Sequence, residues 1–169
     1  MKWFAITGSW RSQTAELKED LKKAIDEIIK NGDGIVSGGA LGVDYLATAE
    51  MLQIPDWQKR VRIIIPTPLD VWRKHYLKRA NEGVITQAQA ESVNELLEKI
   101  KRGGCLIEMN FDVLNQETYF ARNTEIVEMA DELLAFQVND SAGVQDAIDK
   151  AIKLNKKVTL KKYFKEEAK

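Results

Sequence analysis

Short apolar runs alternate with amphipathic stretches along most of this chain. Residues 3 to 7, WFAIT, form a β-rich apolar run closed by Gly8-Ser9, as a buried parallel strand closes at a loop. From Leu17 the apolar positions 17, 21, 24, 25, 28 and 29 lie on one face of a helix. Ser12 or Thr14 is available as its cap and Asn31-Gly32 as its stop. Ile35-Val36 reads as a short strand, residues 43 to 52 as a helix and residues 61 to 65 as a third strand that must exit at Pro66-Thr67-Pro68. Residues 70 to 80 and 85 to 101 are both helical in pattern with no clear strand between them, which predicts a helical insertion in the middle of the chain. Residues 105 to 109 are either a small strand or irregular core, since periodicity over so few positions does not separate the two. A helix over 116 to 130, a strand over 132 to 138, a helix over 144 to 154 and a last strand over 157 to 160 follow, before a charged tail, KKYFKEEAK, expected to fray.

Strands alternating with helices predict right-handed βαβ crossovers. The expected fold is α/β, a Rossmann-like doubly wound parallel sheet with helices on both faces and the helical insertion in its middle. With 169 residues, 44% of them hydrophobic and 30% charged, the chain suits one domain, expected to run over residues 1 to 169. No apolar run has the roughly 20 residues of a membrane span, and the N-terminus lacks the h-region of a secretory signal, so the expected location is cytoplasmic, with no membrane partner. Cys105 is the one cysteine and His75 the one histidine, which leaves no disulfide framework and no Cys/His metal cluster; no metal and no cofactor are expected. A net charge of −1 argues against a globally basic nucleic-acid binder.

In a parallel sheet, ligands bind outside the C-terminal strand ends, where the strand order reverses. Four loops fall on that edge: Gly8-Ser9-Trp10, Ser37-Gly38-Gly39, Pro66-Thr67-Pro68, and Asn139 through Gly143. Three of them are built from glycine and small polar residues, whose backbone amides approach an anion closely. Their convergence favours a phosphate-bearing ligand. ITGSWRSQ has one glycine where the dinucleotide fingerprint needs three, and no P-loop pattern occurs, so ordinary NAD and ATP readings are both weak. Asp44, at the start of a helix, either meets a ribose hydroxyl or caps the glycine loop's own amides, the favoured reading. Arg122 and Asn123 fall within a helix and are expected to face solvent unless that helix skirts the crevice. Trp10 and Tyr45 adjoin the glycine loops and could stack on a base or simply pack. The basic clusters Lys59-Arg60-Arg62 and Arg73-Lys74-Lys78-Arg79 could contact nucleic-acid phosphates, but read more simply as solvated helix faces.

With these residues in view, the chain resembles the SLOG superfamily of Rossmann-like proteins, which groups the LOG phosphoribohydrolases with the DNA-processing proteins of natural transformation. The segments that carry the resemblance are ITGS at 6 to 9, VSGGALGVD at 36 to 44, FARN at 120 to 123 followed by MADELLAF, and SAGVQDAI at 141 to 148. It implies a site for a nucleotide or related phosphorylated small molecule, framed by Gly8, Ser9, Ser37, Gly38, Gly39, Gly42, Asp44, Arg122, Asn123, Ser141 and Gly143. In LOG enzymes an arginine at the point of Arg122 and a glutamate in P-G-G-x-G-T-x-x-E cleave a nucleoside monophosphate at its N-glycosidic bond. Here Ala147 stands where that glutamate would be, and Asp146, one position earlier, is rotated by roughly 100° on a helix. Arg122 with Asp140 or Asp146 is the remaining candidate set for such a cleavage. SGGALGVD and FARN look closer to the DNA-processing branch, in which the Rossmann domain binds single-stranded DNA. The chain looks most like stand-alone SLOG members of unassigned activity, and the resemblance implies a homo-oligomer.

Overall fold

A computed structural model describes residues 1 to 166. Among them the chain forms β1 (Trp3–Gly8), α1 (Ala15–Lys30), β2 (Gly34–Ser37), α2 (Val43–Met51), β3 (Val61–Ile65), α3 (Leu69–Asn81), α4 (Gln87–Arg102), β4 (Leu106–Glu108), α5 (Gln116–Met129), β5 (Glu132–Val138), α6 (Ala142–Lys153) and β6 (Lys157–Tyr163). A short 3-10 turn, Trp57–Lys59, leads into β3. The strands form one sheet in the order β4-β3-β2-β1-β5-β6, and every pairing is parallel.

Two apolar cores lie on opposite faces of this sheet. The larger packs α1 to α4 through Leu17, Ile25, Met51, Trp72 and Leu97 against Ile6, Ile35, Ile63 and Ile65. The smaller packs α5 and α6 through Ile126, Val127, Val144 and Ile148 against Ala5, Val36, Ile64 and Leu133. Alternate residues of one strand thus feed both layers, which is why the central strands read as unbroken apolar runs. The fold is the Rossmann-like α/β sandwich that the pattern predicted.

The helical insertion resolves into α3 and α4, which together make the β3 to β4 crossover. Thr14 caps α1 by accepting the Leu17 N–H at 3.0 Å, and Thr86 with Gln89 closes a capping box on α4. Of the two readings left open for residues 105 to 109, the structure has the strand, a three-residue edge over Leu106–Glu108. The expected fraying of the tail is corrected for its first residues, because β6 runs on to Tyr163, whose O–H donates to Asp20 Oδ2 at 2.7 Å. The last three residues of that tail, 167 to 169, lie outside the described residues.

Candidate functional site

From β1 the chain moves outward through β2, β3 and β4, then returns across the sheet to β5 and β6. The strand order therefore reverses between β1 and β5, and a crevice opens there at the C-terminal edge. It encloses about 500 Å³, and Thr7, Gly8, Asp44, Arg122 and the stretch Ser141 to Val144 are among the residues that line it.

Arg122 and Asn123 turn inward, the alternative in which their helix skirts the crevice. Each is only 8% exposed, because α5 buries the polar face formed by Thr118, Arg122 and Asn123. The Arg122 Nη1–H donates to the Gly38 carbonyl. Its Nε is buried with no partner among the described residues, and its guanidinium lies 5.5 Å from the Tyr119 ring centroid. Asn123 donates to Gly143 O at 3.2 Å and to Asp146 Oδ2 at 3.0 Å, which ties α5 to the start of α6.

Asp44, 7% exposed, faces Arg122 from the start of α2. Burial pushes its carboxyl above the usual carboxylate range, against the opposing pull of Arg122 and of the Ala40 N–H, which it accepts at 3.3 Å. That last bond braces the glycine loop from within. The Leu41 N–H is likewise spent, donating at 3.0 Å to the Tyr76 hydroxyl of α3. The loop after β2 therefore offers a ligand fewer free amides than its glycines suggest.

The glycines serve different ends. A Cβ on Gly8 would enter the Val43 side chain, and one on Gly38 would enter the Arg122 guanidinium with Asp44 Oδ2 at 2.9 Å. Gly39, at φ +66°, faces Ile63 and Ile65 in the core, each at 3.0 Å from where its Cβ would be. Gly42, at φ +84°, lets its loop pass 2.5 Å from the Ser9 carbonyl, again measured from a Cβ position. Gly143 has open space around it. Ser37 donates to Ile6 O at 3.2 Å and Ser9 Oγ accepts the Val138 N–H at 3.2 Å, so both hydroxyls brace the strands.

At the β5 end, Asn139 and Asp140 adopt φ of 49° and 55° to turn the chain into α6. Ser141 makes no side-chain cap bond there, which leaves the first-turn N–H groups of α6 beside the crevice. Asp140 points away, 79% exposed and 2.8 Å from Lys162 Nζ. Asp146 pairs with Lys150 at 2.8 Å. Neither lines the crevice, whereas Ala147 does.

Trp10 stands at the crevice with the Arg11 guanidinium 4.8 Å from its ring centroid, while Tyr45 packs against the larger core instead. Arg60 is no solvated cation. It is 8% exposed and donates to Ile28 O, Ile29 O and Asp33 O at 3.0, 2.9 and 2.8 Å, closing the end of α1. Arg62 lies over Trp3, and Arg73 and Arg79 pair with Glu98 and Glu82. Sequence reasoning missed the contribution of α3 and of Tyr119: His75, Tyr76, Arg79 and Tyr119 all line the crevice. The spacing W-x-x-H-Y, which puts three aromatic rings on one helical face, was the signal available.

A doubly wound parallel sheet with glycine-built loops around a switch-point crevice defines a Rossmann-like α/β protein. The chain belongs to the family described as DNA recombination-mediator protein A, whose model matches residues 1–167. The match falls in the DNA-processing branch of the resemblance read from ITGS, SGGALGVD and FARN. Among solved structures it is similar to DNA processing protein A from Helicobacter pylori, described for its single-stranded DNA binding mode, at 24% identity and a TM-score of 0.67. That alignment covers 93% of this chain and 63% of the other, so the chain spans less than two thirds of that relative's length. It is also similar to TM1055, a structural genomics target, at 15% identity and a TM-score of 0.58, covering 94% of this chain and 72% of that one. DNA processing protein A from Streptococcus pneumoniae matches at 19% identity and a TM-score of 0.53, covering 94% and 58%. These structural likenesses bear on the fold. None of the curated proteins compared with it matches.

Proposed function

We propose that the crevice binds a nucleotide or a related phosphorylated small molecule. The observation that carries this reading is the pairing of two anion-seeking groups on one cavity: the uncapped first turn of α6 and the buried guanidinium of Arg122, whose Nε has no partner among the described residues. A helix N-terminus with free N–H groups attracts a phosphate through hydrogen bonds and the helix dipole together. The phosphate seat is Ala142 to Val144 rather than residues 38 to 42, because Ala40 and Leu41 already spend their amides on Asp44 and Tyr76. Of the loop residues expected to frame the site, Gly8 lines the crevice, while Ser9, Ser37, Gly38, Gly39 and Gly42 lie behind its lining and shape the loops that support it. The cavity volume lies within the range of roughly 300–1,000 Å³ usual for small-molecule sites.

A thermal-shift panel of nucleoside monophosphates and phosphosugars tests this. Stabilisation by at least one phosphorylated compound, lost in Arg122→Leu, is the expected result; a flat response across the panel contradicts it. Cleavage of the glycosidic bond has weaker support, since Ala147 holds the glutamate position and Asp146 is turned to Asn123 and Lys150.

Family membership and the Helicobacter pylori relative favour a second reading, in which the phosphate belongs to single-stranded DNA. It predicts oligonucleotide binding that weakens steeply with salt. Fluorescence anisotropy with a labelled single strand decides it, and no binding at low salt would end it.

A further inference from the structure

The crevice has a second end of different chemistry. α3 presents Trp72, His75 and Tyr76 toward Tyr119 of α5, with ring centroids 5.3 Å apart for Trp72 and Tyr76, 6.0 Å for Trp72 and Tyr119, and 5.9 Å for His75 and Tyr76. Trp72 is fully buried and backs the group, while His75, Tyr76 and Tyr119 line the cavity. Because α3 leaves from β3 and α6 from β5, the aromatic group and the α6 terminus approach from opposite sides of β1.

The polar atoms on this wall are under-used. The Tyr119 hydroxyl and His75 Nε2 stand 3.5 Å apart, a long contact that leaves both with hydrogen-bonding capacity. Asn115 spends its Oδ1 on the Thr118 N–H in the α5 capping box, and its amide Nδ2, which has no partner among the described residues, can donate at the cavity edge. Burial, helped by Arg79, lowers the His75 pKa, which favours the neutral ring, with one nitrogen donating and the other accepting. Rings set at 39° to 80° to one another, edged by a hydroxyl, an imidazole and a side-chain amide, suit a planar heterocycle that meets one ring by its face and the next by its edge and brings its own donors and acceptors. A sugar or an aliphatic chain uses neither feature.

We propose that the wall formed by His75, Tyr76 and Tyr119 seats the nucleobase of the ligand, with Asn115 at its edge. The inference rests on the crevice's being a nucleotide site and adds which element reads the base. Aromatic surfaces hold bases through stacking of ring faces, and the polar edge selects among them.

The test compares nucleoside 5′-monophosphates with ribose 5-phosphate, which carries the phosphate and lacks the base, by calorimetric titration of the full chain. The nucleotides are expected to bind roughly tenfold or more tightly than ribose 5-phosphate, the scale of stacking one base on an aromatic side chain. Tyr119→Leu should bring that ratio toward one. Tyr119→Phe, which keeps the ring, should keep most of the ratio and lose preference among bases. Should Tyr119→Leu fail to fold, His75→Ala reads the same ratio. Ribose 5-phosphate binding as tightly as every nucleotide would overturn the base seat while leaving the phosphate seat in place. Binding of neither class would overturn the nucleotide reading, and the base seat with it.

Discussion

Gly38 and Gly39 are neighbours with opposite duties. A methyl at Gly38 runs into the Arg122 guanidinium, whereas one at Gly39 runs into Ile63, Ile65 and Leu97 from a left-handed backbone. Gly38→Ala is therefore expected to weaken ligand binding with little change in unfolding free energy, because the guanidinium end of a side chain can shift. Gly39→Ala should cost more than about 1 kcal/mol of stability, since alanine is strained at φ > 0. Urea denaturation and ligand titration of both variants check the pair, and the reverse assignment would show that Gly39, not Gly38, faces the ligand. The same attention to partners applies to Arg60. Arg60→Met removes two hydrogen bonds to carbonyls in the last turn of α1 and one to the Asp33 carbonyl beyond it, and should cost about 1–3 kcal/mol, measured in the same way. From sequence, Arg60 sits in a basic cluster and Gly39 in a glycine run; which neighbour each one meets is decided by chain contacts dozens of residues away.

Elements whose apolar face packs inward were legible in place and orientation, whereas α5, which buries polar groups, was legible in place but not in orientation. α1 and α6 carry clear apolar stripes and lie where the pattern predicts them. α5 was placed as a helix, but its inner face includes Thr118, Arg122 and Asn123, so its polarity gave the wrong side to those residues. The pattern finds the start of β6, over 157 to 160, but not its extension to Tyr163, because this edge strand is exposed along most of its length and KVTLKKY lacks a sustained apolar run. Tyr163 and Lys161 dock this strand on α1 through Asp20, at 2.7 and 3.6 Å. The Tyr163 hydroxyl bond, with help from Lys161, holds the Asp20 carboxyl below its ordinary 3.8. A depressed acid stabilises the fold above its unfolded pKa and loses that contribution as pH falls through its folded one. Stability of the native chain should accordingly drop below about pH 4 with a contribution that Tyr163→Phe removes. Acid titrations of the two proteins followed by circular dichroism measure the difference, and superimposable curves would remove Asp20 from the account.

At the scale of the molecule, two cores fasten helices to opposite faces of one sheet and leave the switch point between β1 and β5 open at the edge. That the site lies at the C-terminal strand ends was readable because alternating strands and helices imply a parallel sheet, whereas the strand order that puts the switch point between β1 and β5 was not; the contents of the crevice were readable only in part, because α3 reaches it from the far side of the sheet. No helix of the described residues is long and apolar enough to cross a membrane. The proposed phosphate seat is the first turn of α6 beside Arg122. Backbone amide chemical-shift mapping by NMR during titration with a nucleoside monophosphate tests it most directly. The largest shifts are expected at Ala142, Gly143 and Val144, with smaller ones around Gly38 and along the start of α5. Saturable shifts confined to other surfaces, such as the α1 and β6 side, or no shifts at all, would contradict it.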